Sequence, residues 1–180
     1  MTRIRIHLIL AAVVCAGLAF ASGEALAEQK TIGTYNDWTA FTDKEDGKPL
    51  CYIGSAPTKA EGAYTSRGNT YVLVSIRPAE KSGGVVTVEA GYSYKADSKV
   101  TVDIDGAKYE LYTRNRDSDK KGDAWAVGDE GDKALIAAMR AGKTMVVKGT
   151  STRGTLTTDT YSLAGFTAAY NAIAQACKGG

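Results

Sequence analysis

The chain has 180 residues, with 22 Lys plus Arg against 20 Asp plus Glu and a formal charge of +2. So small an imbalance gives no bulk electrostatic attraction to nucleic acid or anionic lipid. The one histidine, His7, falls in a segment with the features of a removable leader, which excludes Ser-His-Asp triads, Cys–His pairs and the common imidazole zinc sites from the mature protein.

The leader has three parts. Arg3 and Arg5 form a charged start, Leu8 to Phe20 is an apolar run, and Ala25-Leu26-Ala27 is a small-x-small cleavage signal. This is the pattern of a secretory signal peptide at residues 1–27, cut after Ala27. The apolar run of 13 residues is too short to span a bilayer comfortably. Valines precede Cys15 where a lipoprotein signal needs a small residue. The expected destination is bacterial and exported: the periplasm, the outer membrane or beyond. No other stretch approaches 18 apolar residues, so membrane association is peripheral at most. Residues 28–180 are then one domain of 153 residues with a formal charge of +1. A domain of that size buries about two thirds of its unfolded surface.

The elements follow in chain order. Tyr35 to Thr42, around Trp38, is polar-aromatic and β-prone, and Asp43 to Pro49 reads as a charged, turn-rich loop. Leu50 to Ala56 is a short strand carrying Cys51, followed by an expected loop from Pro57 to Asn69. Tyr71 to Ile76 is nearly continuously apolar, as a central strand should be, and Pro78 stops it. In Val85 to Ala90, Val86, Val88 and Ala90 alternate with Thr87 and Glu89.

Val100, Val102 and Ile104 alternate with polar residues up to Asp105-Gly106, after which Tyr109 and Leu111 alternate again. An Asp-Gly pair between alternating runs predicts a hairpin with a type I′ turn. Thr144 to Lys148 and Leu156 to Leu163 form a second pair around Arg153-Gly154. Two helices interrupt the strands. Asp132 is the expected cap of one, with Leu135, Ala138 and Met139 on its inner face and Gly142 at its end. The other runs from Phe166 to Cys177, where Phe166, Ala169, Tyr170, Ile173 and Cys177 share a stripe. Many short strands with few helices predict a mainly β protein, an antiparallel sandwich or barrel-like fold.

Cys51 and Cys177 remain after cleavage. In an oxidising compartment an even pair suggests a disulfide, here joining the second predicted strand to the last helix. A metal pair and a reactive thiol are the alternatives. Two thiols without histidine make a poor zinc site, and Cys51 lies in an apolar run, so the staple is preferred. Closing so long a loop contributes about 4.7 kcal/mol by chain entropy.

Other chemistry finds little support. Asp117 to Asp123 resembles the opening of a calcium loop, but Lys121 takes the fifth ligand position and Gly128 replaces the bidentate Glu of the twelfth. A solvated loop is the better account, with no metal. Acidic pairs that could serve a glycosidase, Asp103 with Asp105 or Asp129, Glu130 and Asp132, have plainer roles in a strand, a turn and a helix start. Arg67-Gly68 and Arg153-Gly154 suit turns, and there is no phosphate loop. Tyr92, Tyr94 and Tyr112, with Arg114 and Arg116, form a candidate interaction surface of aromatic and arginine groups. The competing account places half of these tyrosines in the core.

Several segments together resemble the invasion-associated locus B family. They are Gly33 to Trp38, Cys51-Tyr52-Ile53, Tyr71 to Pro78, Lys148 to Thr155, Thr158 to Phe166 and the late Cys177, spread over residues 32–177. Many members carry a further cysteine soon after the Asp-Trp motif, where this chain has Thr39-Ala40-Phe41-Thr42. The resemblance implies an envelope protein exported by alphaproteobacteria, in a family named for one member's part in host-cell invasion. It brings no catalytic residue and no cofactor. It also suggests that hydroxyls in Asp159 to Ser162 satisfy the first donors of the last helix. The expected function is binding of a protein or cell-surface ligand without catalysis. A structural or stress role in the envelope is the alternative, and a carboxylate-dependent periplasmic hydrolase ranks third.

Overall fold

The computed structural model describes residues 29–80, 83–116 and 121–178. The leader and most of the calcium-loop look-alike lie outside the described residues.

Among the described residues, eleven strands form one antiparallel sheet. They are β1 (Lys30–Tyr35), β2 (Trp38–Glu45), β3 (Lys48–Ser55), β4 (Lys59–Gly62), β5 (Tyr71–Ile76), β6 (Val85–Glu89), β7 (Lys99–Ile104), β8 (Ala107–Asn115), β9 (Gly122–Trp125), β10 (Thr144–Thr150) and β11 (Leu156–Ser162), with helices α1 (Gly128–Ala141) and α2 (Phe166–Ala176). The spatial order is β1-β2-β3-β5-β6-β9-β8-β7-β10-β11-β4. The sheet curls until its far part meets its start: the Trp38 indole donates to the Ser162 carbonyl and the Asp37 N–H to Ala164. The expected β-rich, barrel-like architecture with two helices is the one observed.

One face of the curl is the core. Ala40, Ile53, Val74 and Val86 lie at one register across four strands, and Val72, Val88 and Ala124 at the next. All are buried. Helix α2 lies against this face with Phe166, Ala169 and Ile173 buried, and Phe166 meets Trp38 edge-on at 4.9 Å. Cys177, at the end of α2, is bonded to Cys51 of β3, with 6.0 Å between Cα atoms. The stripe expected on the last helix is therefore its buried face.

The departures from the sequence expectations have local causes. Asp43 to Pro49 is a hairpin, not a loop: Asp46 and Gly47 take φ of 50° and 76°, the same turn conformation as Asp105 and Gly106 at 48° and 97°. Its strand ends are charged because the hairpin tip is exposed. Within Pro57 to Asn69, β4 is exposed at every position and is a strand only because it pairs with β11. The segment ahead of Trp125 is also a strand, β9, from Gly122.

Asp132 does not cap α1. The helix starts earlier, after Val127, and the buried Asp132 carboxylate accepts the Val86 N–H at 2.9 Å, tying the helix to β6. Gly142 ends α1 with φ −84°, so it is not there for a left-handed turn. A Cβ at Gly142 would meet Ile104 Cγ2 at 2.5 Å, and close approach explains it. Hydroxyls do not cap α2 either, since its N-cap is Gly165 and the Ser162 hydroxyl accepts from Ala164 instead.

Candidate functional site

Two regions carry groups that could meet a partner, one on the outer face of the sheet and one at the polar end of its inner face. On the outer face, Thr39, Gly54, Leu73, Thr87, Trp125 and Tyr112 stand opposite one another across β2, β3, β5, β6, β9 and β8. At normal strand spacing that row is roughly 24 Å long. Beside it, Phe41 stacks on Tyr52 at 5.0 Å, and at the other end Tyr112 meets Trp125 at 5.7 Å. A solvated sheet face normally alternates to polar residues. This one keeps aromatic groups, with Tyr71 37% and Tyr112 49% exposed.

The five residues proposed from sequence do not form one surface. Tyr112 and Arg114 share the outer face of β8 and are exposed. Arg116 is half-buried and turned toward Glu89 and Asp123, at 3.6 and 3.4 Å. Tyr92 is half-buried on the other side of the sheet, and Tyr94 is in the core at 1% exposure. Burial pushes the Tyr94 hydroxyl far above its ordinary range. Tyr94 therefore cannot belong to an exposed patch. What sequence missed is Trp125, Leu73, Tyr71, Phe41 and Tyr52, whose shared face appears only once the strand register is known.

The second region is built on a buried ion pair. On β11 the inward residues are Tyr161, Asp159 and Thr157, all buried, so the core face turns polar toward one end. Arg67, from the β4–β5 connection, donates both terminal nitrogens to Asp159 at 2.6 Å each and its Nε to the Ala90 carbonyl at 2.7 Å. Its side chain is 5% exposed and Asp159's 3%. Burial alone would pull the guanidinium down, but the Asp159 carboxylate more than compensates and holds it above its ordinary range. The rings of Tyr64 and Tyr92 flank it at 5.7 and 5.0 Å. Gly91 makes this approach possible: at φ 72°, any Cβ would lie 2.3 Å from the Gly68 carbonyl oxygen.

Above this pair lies a cavity of about 360 Å³, between the 63–67 segment and the β10–β11 turn. The turn is held by its own bonds: Ser151 N–H donates to the Thr155 carbonyl, Gly154 N–H to Ser151, and Thr155 N–H to the Ser151 hydroxyl. Thr152 N–H reaches across to the Ser93 carbonyl. Tyr92 shares a hydrogen bond of 2.7 Å with the Thr157 hydroxyl, and burial raises its own hydroxyl above the usual range despite that bond. Among the described residues, no group of three or more His, Cys, Asp or Glu is placed to hold a metal ion. No described helix is long and apolar enough to cross a membrane.

The curled sheet, the helix laid on its inner face and the bond between Cys51 and Cys177 define a disulfide-tied antiparallel β protein. The chain belongs to the invasion associated locus B (IalB) protein family, whose profile matches residues 38–174. Its fold is similar to the crystal structure of invasion associated protein B from Bartonella henselae. That chain is 21% identical, with a TM-score of 0.56 over 83% of this chain and 99% of that one. No curated protein matches the sequence.

Proposed function

We propose that this protein is an exported envelope protein that works by binding another protein, without catalysis, and that the outer sheet face is its contact surface. The observation that carries this reading is the set of aromatic and aliphatic side chains Phe41, Tyr52, Tyr71, Leu73, Trp125 and Tyr112, spread between β2 and β8 on a face that solvent would otherwise make polar. Aromatic residues with arginine at the margin are enriched where proteins meet, and a few buried aromatics carry most of the energy there. Arg114, exposed beside Tyr112, favours a partner with an acidic rim. The near-neutral charge supports a protein over a lipid or nucleic-acid target. Membership of a family named for an invasion-associated locus agrees with a role at the cell envelope.

The test is a photo-crosslinking residue placed at Arg114, with a second at Lys59 on the edge strand β4, in intact cells. A discrete adduct from Arg114 that is absent from Lys59, and that disappears when Trp125→Ser is added, is the expected result. Equal or no adducts from the two positions would overturn the surface. Protease shaving of the same cells decides the side of the membrane, because survival alongside a periplasmic marker would remove the cell-surface reading.

A further inference from the structure

We infer that the cavity above Arg67 is a binding site for an acidic sugar, a ring bearing several hydroxyls and one carboxylate. At about 360 Å³ it sits at the lower end of small-ligand pockets, which run from roughly 300 to 1,000 Å³. Its lining residues include the hydroxyl-bearing Ser66, Thr152 and Thr155, the aromatic Tyr64 and Tyr92, and Arg153. Hydroxyls both donate and accept, which matches the vicinal hydroxyls of a sugar, and tyrosine rings supply the flat apolar contact that sugar C–H groups need.

Charge decides the rest. Arg67 lies at the base of the cavity, but its terminal nitrogens are committed to Asp159, so the pair adds no net charge. Arg153 stands exposed at the tip of the β10–β11 turn, and no carboxylate pairs with it among the described residues. One unneutralised guanidinium at the rim of a cavity lined by hydroxyl-bearing residues fits one carboxylate. A phosphate-type dianion would call for more donors and more positive charge. A neutral sugar would leave the arginine without a role.

The site is preformed, since the turn that carries Arg153 is tied to the Ser93 carbonyl through Thr152 and closed by its own hydrogen bonds. It lies on the opposite side of the sheet from the aromatic row, so the two can succeed or fail separately. The buried ion pair serves as a platform that fixes Tyr64 and Tyr92, and it is left intact in the experiment.

The mature protein is titrated with glucuronic acid, methyl β-glucuronoside, glucose and acetate while amide NMR shifts are followed. Saturable shifts at Ser93, Thr152 and Arg153 are expected with the acidic sugars. Glucose should bind about tenfold more weakly, the scale of one charge-assisted hydrogen bond. Acetate, which keeps the carboxylate but lacks the ring and its hydroxyls, should also bind more weakly than the acidic sugars. Arg153→Gln, an exposed change at a turn, should bring glucuronic acid down to the level of glucose and leave glucose unchanged. Binding of the methyl glycoside assigns the site to a glycan end, and binding of the free acid alone assigns it to a soluble sugar acid. No saturable shift, acetate equal to glucuronic acid, or an Arg153→Gln variant that still prefers the acid would each overturn the assignment.

Discussion

Removing Arg67 would leave the Asp159 carboxylate charged where water hardly reaches it. Arg67→Met should therefore destabilise the fold by about 3–5 kcal/mol, the usual cost of breaking one side of a buried pair. Arg67→Met combined with Asp159→Leu should recover most of that loss, because both charges are then gone. Denaturant midpoints of the two variants check this, and additive losses would mean the pair is not coupled as described. Asp132 gives a prediction of the opposite kind. Burial raises its carboxyl above the usual range, the Val86 N–H draws it partly back, and the charge of Asp129 adds to the rise. A carboxyl with a raised folded value favours folding most in its protonated form, and that contribution is lost as pH climbs through the folded value. Asp132→Asn keeps an oxygen to accept from Val86 but cannot ionise. Relative to the native chain, its melting temperature should rise between pH 4 and pH 7, and a difference constant with pH would refute the raised value.

At the scale of elements, α2 is held by its buried stripe, by the bond from Cys177 to Cys51, and by polar contacts of Thr167, Tyr170 and Asn171 with Arg140 and Gly83. Cys177→Ser should cost about 2–5 kcal/mol, the range for loss of a disulfide closing a long loop. The denatured native protein should show no free thiol to a thiol reagent. An unchanged melting midpoint would mean that the stripe and the polar contacts hold the helix without the bond.

These elements also show what the residues alone could reveal. Strands whose two faces differ, such as Val86 and Val88 against Thr87, were legible, and so was the helix whose apolar residues recur with helical spacing. So were the Asp105-Gly106 turn and the Cys51–Cys177 pair. β4 was not, since Lys-Ala-Glu-Gly has no periodicity and its strand exists only through β11. Four strands, β5, β6, β9 and β8, must be in register before Leu73 and Tyr112 share the outer face. Arg67 and Asp159 are 92 positions apart, and nothing local marks either as the other's partner.

For the whole molecule, neighbours in the sheet are often strangers in the chain: β6 pairs with β9, β7 with β10, and β11 with β4. Such pairings come at the expense of loop-closure entropy before they return any stability, which makes folding slow. The bond from β3 to the end of α2 adds an ordering in time. Ribosomes deliver the amino end first, so Cys51 and all eleven described strands exist before Cys177 does. Through that interval the inner face of β2 and β3 lacks its helix, and the Cys51 thiol is open to any other oxidised partner. The bond is thus a closing step that comes after the rest of the sheet has been made. A chain that completes it has joined its last helix to the strands made before it.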